Sequence, residues 1–235
     1  MRIILFIIAS LISVGPTRAE VLERQYNGFT VWVDCDRRGP ILFHYMANRD
    51  TGRFPRESAY TKDPNVPARC QSKTTRVFGS SHGVPYDVGH QVPANHLDGS
   101  RISLHQANLW TNLLPQTASM NRGAWRQSED IIECARDIVP LEVWGGAIWT
   151  NATNDFVDSH GIQTPSAYWK VVIRTDNRQA MAWIVPNGNA PRSSLDRWLK
   201  SVSEVETVAG RTFDAVDKNV RPEHSWPLPR GCDLG

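Results

Sequence analysis

The side chains best placed to do chemistry lie in Tyr86-Asp87-Val88-Gly89-His90-Gln91-Val92-Pro93-Ala94-Asn95. His90 stands between a glycine and a Gln-Val-Pro run, where the backbone is not expected to be helical. A histidine on such a strand edge or turn can be exposed and able to exchange protons as a general base, losing its function as it protonates near pH 6.5. Further along, Asn112, Asn121 and Glu129 supply neutral and anionic oxygens, which suit a hard cation such as magnesium. Two rival patterns occur nearby. Gly79-Ser80-Ser81-His82-Gly83 fits G-x-S-x-G, the nucleophile elbow of serine hydrolases, but that device needs a helix directly after it, and Val84-Pro85-Tyr86-Asp87-Val88-Gly89 will not form one. His82, His90, His96 and His105 invite a zinc reading, yet their spacing matches no familiar ligand pattern.

The elements that must position these residues read as an α+β chain. Phe29–Val33 and Ile41–Tyr45 are β-rich runs around the turn-like Asp36-Arg37-Arg38-Gly39-Pro40, a hairpin signal. Residues 48–75, with Pro55, Pro64 and Pro67, read as a long ordered loop, followed by a candidate strand at Thr74–Phe78. From Met120 to Asp137 the apolar residues Trp125, Ile131, Ile132 and Ala135 recur with helical spacing, and Pro140 ends the run. Strand candidates follow at Leu141–Thr150, Tyr168–Arg174 and Met181–Val185. A last helix is expected to open at Ser193-Ser194, with Leu195, Trp198, Leu199, Val202 and Val205 on one face. No internal repeat or composition break divides residues 20–235, which read as one domain.

Residues 1–19 read differently. Met1-Arg2 precedes a mostly apolar run, Ile3 to Val14, and Gly15-Pro16 breaks it before Thr17-Arg18-Ala19. Roughly twelve apolar residues fall short of the ~20 that span a bilayer, so the segment is read as a secretory signal cleaved near Ala19, with no membrane association afterwards. Export to the periplasm or medium makes an even set of cysteines a disulfide framework. Cys35, Cys70, Cys134 and Cys232 allow three connectivities; Cys35–Cys70 with Cys134–Cys232 is preferred because the second bond would pin a Pro-rich tail. The 26 basic residues, less Arg2 and Arg18, equal the 24 acidic ones, so the mature chain is formally neutral. A nucleic-acid contact would have to come from a local patch, not a global field. The skew of 21 Arg to 5 Lys fits both bidentate contact with anions and a GC-rich genome.

Four segments carry a family resemblance. Asp87-Val88-Gly89-His90-Gln91-Val92-Pro93, Asn112-Leu113-Leu114-Pro115-Gln116, Asn121-Arg122-Gly123-Ala124-Trp125 with Glu129, and Pro165-Ser166-Ala167-Tyr168-Trp169-Lys170 resemble, in order, motifs of the DNA/RNA non-specific endonucleases of the ββα-metal group. The resemblance implies the ββα-metal endonuclease fold, a central antiparallel sheet flanked by helices, and Mg²⁺-dependent cleavage of DNA and RNA, with Mn²⁺ able to substitute, leaving 5′-phosphate ends. It implies His90 as general base, Asn121 as the direct metal ligand, Glu129 holding the metal's water shell and Asn112 supporting the site by hydrogen bonding. Eight residues advance a helix by about 12 Å and about 80°, so Asn121 and Glu129 can share a broad face without competing for one position.

One position departs from the pattern: the family's arginine between Asp and Gly is Val88 here. The phosphate must then be neutralised from elsewhere. Arg56 in the 48–63 loop is the preferred match to the family's second arginine, Arg53 is the next, and Arg122 adjoins the expected metal ligand. The same departure keeps open a binding protein of this fold that no longer cuts. Oligomeric state is not legible in the sequence.

Overall fold

The computed structural model describes residues 19–52 and 54–234. The expected leader lies outside the described residues apart from Ala19, and so does Arg53. Strands β1 (Val21–Tyr26), β2 (Phe29–Asp34) and β3 (Gly39–Ala47) open the chain, and β4 (Gly79–Ser81), β5 (Val84–His90) and β6 (Leu113–Thr117) form a small sheet. Later come β7 (Leu141–Ile148), the short pair β8 (Thr153–Phe156) and β9 (Ile162–Thr164), then β10 (Ala167–Arg174), β11 (Ala180–Pro186) and β12 (Leu199–Lys200). The central sheet runs β1-β2-β3-β7-β10-β11-β12, with every neighbouring pair antiparallel.

Alternation along these strands divides the molecule into layers. Phe29, Val31 and Val33 of β2, Phe43 and Tyr45 of β3, and Tyr168 and Val172 of β10 face the main core. The β5–β6 pair and helix α3 (Arg126–Arg136) cover that face through Leu113, Leu114, Ile131 and Ile132. On the opposite face Trp169, Val171 and Ile173 pack under Val202 and Val205 of α5 (Val202–Ala209) and under Phe213 of the segment after it. Two antiparallel strands followed by a helix, β5-β6-α3, thus lie on a sheet that the other helix backs. The cysteines pair as preferred: Cys35–Cys70 ties the end of β2 to the long loop, and Cys134–Cys232 ties α3 to the tail. Among the described residues no helix is long and apolar enough to cross a membrane.

Several elements differ from the sequence reading. Thr74–Phe78 is not a strand; Phe78 instead plugs an aromatic cluster, 4.8 Å from the Phe156 ring and 5.5 Å from Trp110, and the strand begins at Gly79. The last expected helix is three elements: a 3₁₀ segment Arg192–Trp198, the two-residue β12, and α5. Its apolar residues serve two cores, Leu195 and Leu199 one and Val202 and Val205 the other. Ser201 restarts the helix through a capping box with Glu204. Strand β1, whose outward residues are polar, and helix α1 (Arg101–Ala107) escaped the pattern.

The central helix begins two residues earlier than expected and is not straight. A short α2 (Ala118–Met120), capped by the Thr117 hydroxyl, runs into a wider turn, Asn121–Trp125, before α3. The irregularity centres on Gly123 at φ −100°, ψ −113°. Ala124 N–H donates to Ala190 C=O at 2.9 Å, and a Cβ on Gly123 would lie 2.3 Å from that oxygen. Only glycine lets the helix approach the 190–191 backbone this closely.

Candidate active site

Strand β5 carries Asp87 and His90, and its register with β6 sets Asp87 opposite Gln116 and His90 opposite Leu113. A Cβ on Gly89 would meet the Gln116 side chain at 2.2 Å, so the glycine lets Gln116 lie across the strand. The segment after His90 is held by Asn112. This side chain is wholly buried; its Oδ1 accepts from Val92 N–H, and its Nδ2 donates to Val92 C=O and Ala107 C=O, each at 2.9 Å. Asn112 therefore braces the backbone behind His90 and does not itself reach the cleft.

The cleft, about 610 Å³, opens between β5, the long loop and the start of the central helix. His90, Asp87, Asn121, Arg122, Arg56 and Asn108 all line it. Among the described residues the His90 ring has one hydrogen-bond partner: Nε2 lies 2.8 Å from Asn108 Oδ1. Asn108 is itself fixed, because its Nδ2 donates to Glu57 C=O at 2.8 Å. The amide is spent as donor toward Glu57, so its oxygen must accept from His90. That places the imidazole proton on Nε2 and leaves Nδ1 as the open lone pair. Burial pulls the His90 pKa down to about 4, with the nearby Arg56 charge acting in the same direction and the Asn108 bond opposing both. The loss of function expected near pH 6.5 moves down accordingly.

Asp87 is the hub on the other side. Its Oδ2 accepts from Asn121 Nδ2 and Arg122 Nε, each at 2.9 Å, and its Oδ1 accepts from Arg122 Nη2 at 2.6 Å. Burial alone would raise this carboxyl, but the bonds from Arg122 and Asn121 outweigh it and keep Asp87 ionised. The bond also orients Asn121: with Nδ2 committed to Asp87, its oxygen is the atom left to bind a cation. The Arg122 side chain is 73% exposed, so its outer surface remains open.

Glu129 lies further along α3 and is not part of the cleft wall. Burial raises its carboxyl, opposed by the charges of Lys170, Arg126 and Arg56. Among the described residues its carboxylate makes no hydrogen bond or ion pair. Arg56 is exposed and likewise has no such partner among the described residues, although its charge reaches Tyr60, His90 and Glu129. Val88 is 8% exposed and belongs to the apolar core.

Two candidates from the sequence end differently. Ser81 sits at the turn of the β4–β5 hairpin, followed by a strand, and its hydroxyl donates to Asp155 Oδ1 at 2.7 Å, so the elbow reading fails. His96 and His105 engage Glu133 and Glu57 instead of converging on His90. Asn108 was missed altogether. It caps the end of α1, and its only sequence trace is an asparagine where a helix stops.

The sequence profile of the DNA/RNA non-specific endonucleases matches residues 11–219. The chain is 27% identical over 175 residues to a nuclease of Serratia marcescens, covering 71% of this chain and 65% of that one. It is 34% identical over 176 residues to the mitochondrial nuclease 1 of Schizosaccharomyces pombe, covering 66% and 53%. The chain thus spans less than two thirds of the length of these curated relatives. In three dimensions it resembles a solved EndoG/EndoGI complex with a TM-score of 0.61 over 81% of this chain and 84% of that one; at 16% identity this speaks to fold alone.

Proposed function

The chain belongs to the DNA/RNA non-specific endonuclease family, and from that premise we propose that it hydrolyses phosphodiester bonds in DNA and RNA, with His90 as general base. The observation that carries this reading is a neutral imidazole with its Nε2–H pinned and its Nδ1 open, in a cleft that also presents two arginines and a tethered asparagine oxygen. A water beside Nδ1 would lose its proton to His90 as it attacks phosphorus. Arg56 and Arg122 are the donors for the phosphate oxygens, taking over from the arginine that Val88 replaces. Backbone contacts of this kind carry no base information, so little sequence preference is expected.

The two groups offered as ligands, the Asn121 amide oxygen and the Glu129 carboxylate, are both oxygens and fit a hard, hydrated divalent cation. Asn121 Oδ1 would be its direct ligand and Glu129 would hold its water shell, with Mg²⁺ the natural ion and Mn²⁺ a substitute. When bound, such an ion supplies Lewis-acid stabilisation of the charge on the leaving oxygen. Cleavage on that side of phosphorus leaves 5′-phosphate ends. The leader-like residues 1–19 and the two disulfides support a secreted protein in which residues 20–235 form one catalytic unit.

The test is digestion of plasmid DNA and of RNA by purified mature protein with Mg²⁺ or EDTA, beside His90→Ala. Cutting that requires metal and His90 supports the reading, and cutting that ignores EDTA refutes its metal part. Tight binding without cutting would favour a degenerate, binding-only relative, a reading for which the loss of the motif arginine at Val88 speaks.

A further inference from the structure

Strand β10 contains an oddity of pattern. Tyr168, Lys170 and Val172 share the face that looks into the main core, and both of the lysine's neighbours on that face are wholly buried. Lys170 is wholly buried too. A lysine at such a position is costly unless it is paired, yet no carboxylate lies within ion-pair distance of its ammonium among the described residues. Its Nζ instead donates to Ser128 Oγ at 2.9 Å and stands 3.9 Å from the centre of the Trp125 ring. Ser128 in turn donates to Trp125 C=O at 2.7 Å. All three contacts fall on one stretch of helix, four residues after Asn121 at Trp125 and one residue before Glu129 at Ser128.

We propose that Lys170 is a positioning residue for the cation site, its buried ammonium fastening to the central sheet the helical segment that carries Asn121 and Glu129. The inference rests on the metal reading above. Two further observations support it. The segment is irregular at Gly123, where Ala124 N–H already leaves the helix for Ala190 C=O, and the Lys170 contacts begin directly after that irregular stretch, at Trp125. Of the two carboxylates whose charge the ammonium feels, Asp130 is already met by Arg126 at 2.8 Å and by Arg192 at 2.5 Å. Glu129 has no direct partner, which leaves Lys170 as a buried counter-charge for it. Burial pulls the lysine's pKa down while the charges of Glu129 and Asp130 hold it up.

The experiment measures Mn²⁺ binding by titration calorimetry on the full mature chain, together with the melting temperature, for the parent, Lys170→Met, Ser128→Ala and Asn121→Ala. Methionine fills the lysine's volume without its charge, and because Glu129 loses its buried counter-charge the variant is expected to be less stable than the parent. A merely structural lysine would therefore move Tm and leave metal affinity alone. The expected result is a folded Lys170→Met protein with a lowered Tm and, beyond that, Mn²⁺ affinity weakened about tenfold or more, the range for loss of a group supporting a metal ligand. Parental affinity in Lys170→Met overturns the proposal. If that variant does not fold, Ser128→Ala decides: it keeps the charge but removes the hydrogen bond to the helix, leaving only the Trp125 ring contact, and parental affinity there overturns the proposal equally. Asn121→Ala is the control for the underlying reading. If it binds Mn²⁺ like the parent, the metal site itself is misplaced and the role of Lys170 falls with it.

Discussion

The proton on Nε2 and the lowered pKa of His90 make a quantitative statement about acid tolerance. With a pKa of about 4, His90 is about nine-tenths neutral at about pH 5. An unperturbed histidine, titrating near pH 6.5, would be only about 3% neutral there, a difference of roughly thirtyfold in competent base. Single-turnover cleavage of plasmid DNA at saturating Mg²⁺ should therefore be nearly flat from about pH 8 to about pH 5 and fall only below that. Stability should behave in the opposite sense across the same window. Because the folded state resists protonation of His90 between about pH 6.5 and about pH 4, the unfolded chain binds more protons there, and Tm should decline as pH falls even while the rate holds. Asn108→Asp sharpens the test, since a carboxylate accepting from Nε2 favours the imidazolium and should move the acid limb upward. A parent whose rate drops tenfold or more between about pH 7 and about pH 5, with metal saturated and the fold intact, would refute the reasoning: His90 would then be solvated, not a buried neutral base.

Three further outcomes follow from the same geometry. His90→Ala should lower turnover by roughly 10²–10⁴-fold with Tm nearly unchanged, because the ring is joined to the protein by a single hydrogen bond; a variant that unfolds would make the residue structural. Arg56→Ala should reduce the initial rate at fixed low salt by about 10²-fold while leaving Tm alone, since its guanidinium has no partner among the described residues to lose; a change of less than about twofold would leave Arg122 as the phosphate donor. Gly123→Ala drives a Cβ onto the Ala190 carbonyl oxygen, with backbone on both sides of the clash, and should cost about 1–3 kcal/mol, read as a Tm lower by several degrees, together with weakened Mn²⁺ binding at Asn121. Tm and affinity unchanged in that variant would show that the close approach is not needed.

What could be read in advance was a grouping of residues carried by short segments, which the structure brings to one cleft. His90, Asn121 and Arg122 stand in short segments whose residue order is itself the signal, and the preferred cysteine pairing followed from a proline-rich tail that needed an anchor. What escaped was brought in by tertiary structure. Asn108 reaches His90 from the end of α1, eighteen positions away, and nothing in a window around either residue joins them. Asn112 was expected to support the site by hydrogen bonding, but which backbone groups it braces depends on which way a buried amide points. The final helix failed for a related reason: one apolar period fitted Leu195 to Val205, yet the chain divides that period between two faces of the sheet.

Lys170 shows how a broken pattern can be more informative than a kept one. In Ala167–Arg174 every second residue faces the main core, so the lysine stands where alternation calls for a hydrophobe. A solvent-seeking side chain in that place must be met by something, and the sequence alone cannot say by what. The structure meets it with a hydroxyl and an aromatic face on the helix that bears the proposed metal residues, and among the described residues no carboxylate is in contact. The lysine's charge is also the largest influence opposing the burial of the Glu129 carboxylate. Its place beneath Asn121 and Glu129 ties the cost to the site, because a cation held by one amide oxygen and a shell of water tolerates little movement in the helix beneath it.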